Sequence, residues 1–432
     1  MRKQISYEVA DIVAFKNGLL AWAQQFEEVV WLDSNGHTER YSSYDAVLAV
    51  DGLTVKVTDA QNVFEDLKEY QKEVKDWLFG YMSYDLKNDV ERLSSQNFDG
   101  LHFPDLYFFQ PKKIITIHGN KVTFNYLRMI DEIDTDFRII SDRLADNDED
   151  RENANPIKIR MRIFKDEYFN KVRQMLAHIQ RGDIYEANFC QEFYAENTQI
   201  DALHTYKRLN NISKAPFATY LKLGSKYVLS ASPERYLKKV GSTVISQPIK
   251  GTAKRAGDTT GDKKLRVALA KDVKERAENI MIVDLVRNDL SKSALKGSVA
   301  VEELCKVYSF EQVHQMISTI TAEVAHHKNP VDIIKETFPM GSMTGAPKVS
   351  AMKIIEGLES FRRGVYSGAV GYFSPDGNFD FNVVIRSILY NEEEKYVSYA
   401  VGSAITAKAI PEKEYEECLL KAKAMREVLE NV

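Results

Sequence analysis

Short apolar runs of strand character come in neighbouring pairs along this chain, and this pairing is the feature that most limits its fold. Residues 218–223 and 226–231 form one such pair, and residues 379–390 and 396–402 form another. Parallel strands would need a long crossover connection between successive runs, whereas these runs are joined by short polar turns. Helical segments lie between the groups. We therefore expect an α+β fold with antiparallel or mixed sheets rather than a doubly wound parallel sheet.

Periodicity also predicts the other elements and one boundary. Strands are expected at 28–32, 44–50, 122–127, 185–194 and 365–373, and helices at 63–74, 263–283, 331–337, 347–358 and 412–429. A further helix is expected to start at a cap on Asp166 and to end at Gly182. The polar, mostly acidic stretch 146–156 has little to bury, so it predicts a linker. This places an N-terminal lobe at 1–145 and a second domain at 157–430.

Composition limits the class of protein. With 44% hydrophobic and 28% charged residues, the chain has the composition of a soluble globular protein. Its net charge of -5 and the lack of a basic cluster interleaved with aromatic residues argue against a nucleic-acid partner. We see no signal peptide and no apolar run near membrane-span length, so we expect no membrane association. Three widely spaced cysteines suggest neither disulfides nor zinc, and a cytoplasmic location is the simplest inference.

Lys250 lies in the segment Ser246-Gln-Pro-Ile-Lys-Gly-Thr252, directly after an apolar run of strand character. Pro248 cannot donate a ladder hydrogen bond, and Gly251 tolerates backbone angles that other residues avoid. The segment is therefore shaped to present one side chain. An isolated lysine at a strand end is usually just solvated, so this segment gains meaning only from the residues that accompany it.

Two pairs of glutamates repeat one spacing on two predicted helices. Glu275 and Glu278 are three residues apart, and so are Glu414 and Glu417. Residues three apart share one face of a helix, so two such pairs facing each other would form an all-oxygen site of the kind that Mg²⁺ prefers. Each pair alone is more often a solvated surface feature, and Glu417 with Lys421 also has the spacing of an ordinary ion pair.

Three further features carry possible chemistry. The segment 338–348 is a glycine-bearing loop that leads into a helix, where backbone amides can bind an anion, although a plain helix start is an equal alternative. Arg386 interrupts an apolar strand, so its guanidinium needs a carboxylate from the protein or from a ligand. His314 could act as a general acid or base, although a lone histidine beside apolar residues is more often structural.

Together these segments resemble the chorismate-utilising enzymes. The resemblance rests on the motifs Ser232-Pro-Glu-Arg-Tyr236, Pro248-Ile-Lys-Gly-Thr252, Met281-Ile-Val-Asp-Leu-Val-Arg-Asn-Asp-Leu290, the 338–348 loop, Arg363-Gly-Val-Tyr-Ser-Gly-Ala-Val-Gly371 and the last helix. It covers about residues 165–425, in family order. It implies two large, mostly antiparallel sheets packed in a core with helices outside. Trp31-Leu-Asp-Ser34 and Phe79-Gly-Tyr-Met-Ser-Tyr-Asp85 resemble the amino-transferring members, in which this region can hold tryptophan.

The resemblance also implies roles for individual residues. Lys250 corresponds to a nucleophile that attacks carbon 2 of chorismate, and Glu234 corresponds to the general acid for the departing carbon 4 hydroxyl. Glu278 and Glu417 correspond to the principal Mg²⁺ ligands. Glu275 and Glu414 correspond to the next nearest carboxylates, which reach the ion through water. The resemblance implies that Thr252 and His314 line the reacting ring of the substrate. It also implies that the substrate carboxylates are held by Ser342, Tyr366, Arg386, Gly402 and Lys421.

A lysine at position 250 is similar to the aminodeoxychorismate-forming members, whereas anthranilate-forming members usually carry alanine there. The implied activity is amino transfer to chorismate, giving 4-amino-4-deoxychorismate for p-aminobenzoate and folate synthesis. No Gly-X-Cys-X-Gly motif is present, so ammonia from glutamine would need a partner amidotransferase subunit. The alternatives are anthranilate synthase component I and a catalytically silent protein that binds chorismate or tryptophan.

Three positions depart from the family pattern. Asn279 replaces a common histidine, and Ala404 replaces a common glycine near the substrate carboxylate. Glu186 replaces the glutamine of amino-transferring members and the base lysine of water-adding members. The last change argues against an isochorismate or salicylate synthase, and it leaves open how this side of the pocket handles ammonia.

Overall fold

The structure, a computed structural model, describes residues 2–37, 40–59, 61–142, 157–311 and 313–430. The predicted linker at 146–156 lies outside these ranges. The strands in the described ranges are β1 Arg2–Glu8, β2 Glu28–Asp33, β3 Ala46–Thr58, β4 Leu78–Met82, β5 Leu106–His118, β6 Lys121–Leu127, β7 Arg160–Met161, β8 Glu186–Ala195, β9 Phe217–Leu223, β10 Lys226–Ser232, β11 Arg235–Val240, β12 Thr243–Gln247, β13 Ile249–Lys254, β14 Ala300–Ser309, β15 Val313–Glu323, β16 Gly345–Ala346, β17 Ala369–Phe373, β18 Phe379–Val383, β19 Ser387–Asn391 and β20 Tyr396–Thr406.

The helices in the same ranges are α1 Ile12–Ala23, α2 Val63–Val74, α3 Lys87–Val90, α4 Ile133–Asp142, α5 Lys165–Arg181, α6 Ala202–Ser213, α7 Thr259–Lys271, α8 Val273–Ser291, α9 Pro330–Thr337, α10 Lys348–Leu358 and α11 Pro411–Glu430. Short 3₁₀ turns cover Tyr84–Leu86 and Gly341–Met343. No helix in the described ranges has the length and apolarity needed to cross a membrane.

The ladders between the strands are all antiparallel in the part of the chain that the structure describes, and they link the strands into one continuous network. Successive side chains of a strand point to opposite faces of a sheet. In β2, Val30 belongs to one hydrophobic cluster, whereas Val29 and Trp31 belong to a second. The first cluster also contains residues of α2, α8 and α9, and the second contains residues of α1, α5, α6 and α11. The α+β, mostly antiparallel fold is therefore confirmed.

Strands from the N-terminal part pair directly with strands from the rest of the chain. The whole of β2 is paired with β9, from Glu28 opposite Leu223 to Asp33 opposite Ala218. The strand β4 is likewise paired with β17. Two ladders, β2 with β9 and β4 with β17, therefore join the predicted N-terminal lobe to the predicted catalytic domain. The division into these two domains stays a prediction.

Most predicted elements have the expected type, and α2 has the predicted bounds, but three predictions were wrong in detail. The expected helix at 263–283 is two helices, because the Asp272 side chain accepts a hydrogen bond from the Glu275 amide at 2.9 Å and caps α8. The expected strand at 379–390 is broken at Arg386, whose φ of +53° lies in the left-handed region. Asp166 lies in the first turn of α5 instead of capping it, although Gly182 ends that helix as predicted.

A close backbone contact fixes the 338–348 loop against β8. In the short ladder between β16 and β8, Gly345 faces Ala187, and Ala346 faces Glu186. A Cβ atom added at Gly345 would lie 2.2 Å from the backbone oxygen of Glu186. Only glycine permits this approach, so the loop and the start of β8 hold one another in place.

Candidate active site

A bulge in β13 presents the Lys250 side chain. The register between β13 and β15 shifts between Ile249 and Thr252, so the residues between them are out of step with the ladder. Gly251, in this bulge, has a φ of +94°, a conformation that side-chain-bearing residues rarely adopt. A bulge re-aims a side chain out of the regular alternation, and such bulges often lie beside active sites. This geometry agrees with the prediction that the segment 246–252 presents the side chain of Lys250.

The Lys250 ammonium lies among carboxylates. Its Nζ atom is 3.5 Å from Oε1 of Glu186, and the side chain is 14% exposed. Burial lowers the pKa of Lys250, but the negative charges of Glu186, Glu278 and Glu234 raise it, and the net direction is upward. Burial by itself therefore does not make this amine neutral. The neighbouring acids favour its ammonium form, and a cation that shared their charge would weaken this effect.

Glu234 lies between β10 and β11 and is buried. Its backbone is fixed on both sides, because its carbonyl accepts from the Val383 amide at 3.0 Å and its amide donates to the Ser232 hydroxyl at 3.3 Å. Burial raises the pKa of the Glu234 carboxyl to about 7, against smaller lowering effects from Ser342 and Lys250. A carboxylic acid with this pKa is still half protonated near neutral pH, as a general acid requires.

The two glutamate pairs face each other from α8 and α11. The Lys274 ammonium joins them, since its Nζ lies 3.7 Å from Oε1 of Glu278 and 3.7 Å from Oε1 of Glu414. We call Glu275, Glu278, Glu414 and Glu417 the carboxylate cluster. Gly251 of the β13 bulge lies against it, because a Cβ added there would be 3.1 Å from Oε2 of Glu275. The cluster and Lys250 thus belong to one site.

Burial and charge set the protonation of the carboxylate cluster. Burial raises the pKa of Glu278 to about 7, and it also raises the pKa values of Glu275 and Glu414. Glu417 is different. Burial raises its pKa, but Lys421, 2.5 Å away, together with other lysines, lowers it further, so the net direction is downward. Carboxylates that share a small volume and resist ionisation are stabilised when a cation joins them.

The carboxylate cluster fits a hard divalent cation. All of its possible metal-ligating atoms are carboxylate oxygens, and among the described residues Oε1 of Glu278 is buried without a hydrogen-bond partner. Within the described ranges, no three carboxylate, imidazole or thiol side chains are placed to hold one ion by themselves. An ion here would therefore take few ligands from the protein and complete its coordination shell with water and substrate. Mg²⁺ is usually bound in this way.

Arg386 provides a positive group beside the cluster. The only hydrogen bond of its side chain in the described structure runs from Nη1 to the Lys421 carbonyl at 3.4 Å, and the guanidinium forms no ion pair there. Burial lowers its pKa, although Tyr366 and Glu417 raise it. A guanidinium without a carboxylate, on a residue with a left-handed backbone, fits the predicted role of holding a ligand carboxylate.

The other predicted carboxylate-binding residues are neighbours of Arg386. Lys421 Nζ donates to the Gly402 carbonyl at 2.8 Å. Tyr366 donates its hydroxyl to Sγ of Cys190 at 3.7 Å, and a Cβ at Gly402 would lie 2.5 Å from the same sulfur. Ser342, in the 3₁₀ turn Gly341–Met343, lowers the pKa of Glu234, and its Oγ is buried without a hydrogen-bond partner among the described residues. Contacts therefore link Lys421 to both Arg386 and Gly402, and Tyr366 and Gly402 lie against one sulfur atom. Ser342 lies with Glu234 on the lining of a small neighbouring cavity.

Two predicted ring-lining residues are less clearly part of this pocket. Thr252 lies on β13, two residues beyond Lys250, and is exposed. His314 is fully buried on β15, where Nδ1 lies 2.9 Å from the Ser309 hydroxyl and Nε2 lies 3.0 Å from Oδ1 of Asp262. Both ring nitrogens thus already have partners in the protein. The catalytic role of His314 remains a prediction.

Three residues that the predicted site did not include contribute to it. Glu186 contacts Lys250, and Lys274 joins the two glutamate pairs. Asn279 donates to the carbonyl of Lys250 at 3.4 Å and accepts from the Ser318 hydroxyl at 2.5 Å, which ties α8 to the bulge. Glu186 and Asn279 are two of the positions at which the sequence departs from the family pattern. Lys274 could have been found from its spacing, because it lies four residues before Glu278, as in an ion pair on one helix face.

A separate cavity of about 80 Å³ lies between the β2–β3 connection and the strands β9, β11 and β18. Its lining includes Ser34, Tyr44, Phe217 and Asp380. Ser34 belongs to the motif Trp31-Leu-Asp-Ser34, for which the sequence predicts that tryptophan can bind. This binding stays a prediction.

Known proteins support the interpretation of the motifs. A probable aminodeoxychorismate synthase, chloroplastic, of Oryza sativa subsp. japonica is 35% identical to this chain over 434 residues, which cover 92% of the chain but 48% of that protein. The chain thus spans about half the length of this relative. Anthranilate synthase component 1 of Thermus thermophilus is 34% identical over 361 residues, covering 81% of this chain and 77% of that protein.

The fold and the family agree. The crystal structure of anthranilate synthase component I from Streptococcus pneumoniae matches with a TM-score of 0.77 at 24% identity, covering 90% of this chain and 94% of that chain. At this identity the match supports the fold alone. A family model described as chorismate binding enzyme matches residues 27–427 and so includes every residue of the site. The chain therefore belongs to the chorismate-binding enzyme family.

Proposed function

We propose that this chain transfers an amino group to chorismate, forming 4-amino-4-deoxychorismate from chorismate and ammonia. The observation that carries the proposal is the position of Lys250, a lysine on a strand bulge that lies close enough to the buried acid Glu234 for their charges to interact. A lysine amine is a nucleophile for covalent catalysis, and a carboxyl with a pKa of about 7 can protonate a leaving hydroxyl near neutral pH.

In the first half of the reaction, the Lys250 ammonium gives one proton to water, and the freed electron pair of its nitrogen bonds to carbon 2 of chorismate. The ring double bond shifts, the carbon 4 to oxygen bond breaks, and the hydroxyl leaves as water with the proton of Glu234. In the second half, ammonia bonds to carbon 4 and the double bond shifts back. The bond from carbon 2 to Lys250 breaks, and the lysine keeps the electron pair. The new ammonium group then returns one proton to Glu234.

The other residues of the pocket bind and orient the substrate. Arg386, Tyr366 and Lys421, with Ser342 and the Gly402 backbone, would hold the substrate carboxylates. The carboxylate cluster would hold Mg²⁺, with Glu278 and Glu417 as the principal ligands and Glu275 and Glu414 reaching it through water. Bound Mg²⁺ would supply positive charge that neutralises the cluster and orients a substrate carboxylate.

Ammonia would come from glutamine through a separate amidotransferase subunit. The motif Gly-X-Cys-X-Gly, typical of a glutaminase nucleophile, does not occur in this sequence. A second candidate function is that of anthranilate synthase component I, because relatives named for the two activities match this chain at similar identity. Lys250 is the feature that favours the first.

The test is to identify the product. The purified chain is incubated with chorismate, Mg²⁺ and ammonium, and the product is identified by mass and by ultraviolet spectrum. We expect 4-amino-4-deoxychorismate. Anthranilate would establish the second candidate instead, and no product from a folded chain would indicate a silent binding protein.

Two variants test the covalent step. Lys250→Arg keeps the positive charge but cannot deprotonate to attack carbon, so it should be nearly inactive. Lys250→Ala opens space at carbon 2 and should shift the product toward anthranilate. Wild-type chain incubated with chorismate and no ammonia should show an intact-mass adduct that maps to Lys250. An active Lys250→Arg variant without an adduct in the wild type would refute the covalent step.

A further inference from the structure

One carboxylate in the pocket has an oxygen with no assigned partner. Glu186 is the first residue of β8 and is only 2% exposed. Its backbone is held on both sides, since it faces Ala346 in one ladder and Thr406 in another. One carboxylate oxygen, Oε1, lies 3.5 Å from Lys250 Nζ. The other, Oε2, is buried and accepts no hydrogen bond from any residue that the structure describes.

An oxygen of this kind points to a ligand. Leaving a buried carboxylate oxygen without a donor is unfavourable, so nearly all such atoms in folded proteins have a partner. The neighbouring buried glutamate of the same strand shows the usual arrangement. Glu192 accepts from Arg162 at 2.9 Å on one oxygen and from Tyr396 at 2.9 Å on the other. Glu186, at the start of β8 beside Lys250, differs because its Oε2 has no such donor among the described residues.

The chemistry at Lys250 makes the need for a partner greater. This step rests on the proposed function: when the Lys250 nitrogen is bonded to carbon 2, it is still positively charged but carries two N–H groups instead of three. The buried carboxylate of Glu186 then has one donor fewer beside it, in addition to the unpartnered Oε2. A buried carboxylate with too few hydrogen-bond donors is unfavourable. A small cation with several N–H donors would replace the lost donor and also satisfy Oε2.

We propose that Glu186 binds the nitrogen substrate, taking an ammonium ion through Oε2 beside the lysine that carries the ring. A carboxylate here attracts the cationic form of the nitrogen substrate, which an amide side chain would not do. The interaction is a charge-assisted hydrogen bond, the stronger class in proteins. Ammonium should therefore bind best after chorismate has reacted with Lys250.

The test compares Glu186→Gln with wild type in steady-state assays that vary ammonium and chorismate separately. Glutamine keeps the shape of the side chain and removes its charge. Losing one charge-assisted hydrogen bond should raise the KM for ammonium about 10- to 100-fold, with the KM for chorismate changed less than about twofold. An unchanged KM for ammonium in a folded Glu186→Gln variant would overturn the proposal.

Two controls separate this role from others. Glu192→Gln alters a buried glutamate of the same strand whose oxygens are both satisfied, and it should leave the KM for ammonium unchanged. Intact-mass analysis of Glu186→Gln with chorismate and no ammonium should still show the Lys250 adduct. Loss of that adduct would mean that Glu186 serves the first step, and it would also overturn the proposal.

A third variant keeps the proposal testable if glutamine disturbs the fold. Glu186→Asp keeps the charge but withdraws the oxygens, so its KM for ammonium should lie between those of wild type and Glu186→Gln. An aspartate variant with a higher KM for ammonium than the glutamine variant would count against a charge effect. Failure of the proposed function is recognised separately, because wild type would then form no 4-amino-4-deoxychorismate at any ammonium concentration.

Discussion

The raised pKa of Glu234 makes a prediction that joins activity and stability. The folded-state pKa is about 7 and the ordinary value is 4.5, because burial disfavours the charged form. At pH 7 about half of the Glu234 carboxyls are protonated in the folded protein, compared with about 0.3% at the ordinary pKa. If Glu234 donates the proton to the leaving hydroxyl, turnover at saturating Mg²⁺ should fall as pH rises above about 7.

The same shift destabilises the folded state at high pH. The folded protein binds this proton more tightly than the unfolded chain does, so stability is lost as pH rises from the unfolded pKa through the folded one. The cost is about 0.8 kcal/mol at pH 5 and about 3.3 kcal/mol at pH 8. Glu234→Gln cannot ionise. Relative to wild type, the variant should therefore gain about 2.5 kcal/mol between these pH values while losing most of its activity.

The assay is thermal unfolding of both proteins at pH 5 and pH 8. Typical unfolding entropies for a chain of this length convert the gain into a relative rise in Tm of about 3 °C at the higher pH. Glu278, whose pKa is also about 7, is present in both proteins, so its effect cancels. Glu69→Gln, an exposed glutamate on α2, is the matched control and should show no such pH dependence. A Tm difference independent of pH would refute the buried-acid argument.

Further predictions concern the metal, the nitrogen source and the packing. Glu278→Gln and Glu417→Gln should each abolish Mg²⁺-dependent turnover without unfolding the chain; full activity of either at limiting Mg²⁺ would contradict the two-helix site. Lys274→Ala removes a competing cation, so the Kd for Mg²⁺ by calorimetry should fall about fivefold, equivalent to about 1 kcal/mol, and weaker binding would contradict this. The isolated chain should use ammonium but not glutamine until an amidotransferase subunit is added, and glutamine turnover by the pure chain would refute this. Gly345→Ala should destabilise the fold by about 2–3 kcal/mol or more, since its Cβ would meet a carbonyl oxygen of β8 at 2.2 Å. At Gly357 on α10, an added Cβ would meet no atom within 4 Å, so Gly357→Ala should stabilise the fold by up to about 1 kcal/mol. Both free energies of unfolding are measured in denaturant, and similar changes for the two variants would contradict the packing argument.

Local sequence signals predicted the type of most elements because strands and helices depend chiefly on short-range periodicity. The paired runs 218–223 and 226–231 are the antiparallel neighbours β9 and β10, as expected. Two boundaries were wrong because a single residue sets each of them. Asp272 divides one apparent helix by capping the next, and Arg386 breaks one apparent strand through a left-handed backbone conformation. Periodicity averages over several residues and does not detect such single positions.

The candidate site was predictable to the extent that its members carry a spacing or a motif. The repeated glutamate spacing and the Lys250 segment identified groups that the fold does bring together. The contacts of Glu186 with Lys250 and of Asn279 with the Lys250 carbonyl join residues that are distant in the sequence, so no local pattern contains them. The family motifs pointed to these positions only as departures.

Several exceptions to ordinary folding rules coincide in this pocket, and together they argue for a ligand. Glu186 and Glu278 each have a buried oxygen without a hydrogen-bond donor, and Arg386 has a strained backbone but no carboxylate partner in the described structure. Each exception alone would destabilise the fold by about 1–3 kcal/mol. The unsatisfied groups have opposite charges, so one anionic ligand accompanied by two cations could satisfy all of them. A chorismate carboxylate on Arg386, a metal ion at Glu278 and an ammonium ion at Glu186 would do this together. Because these groups have no partners within the fold, their interactions with bound ligands can contribute free energy to the reaction.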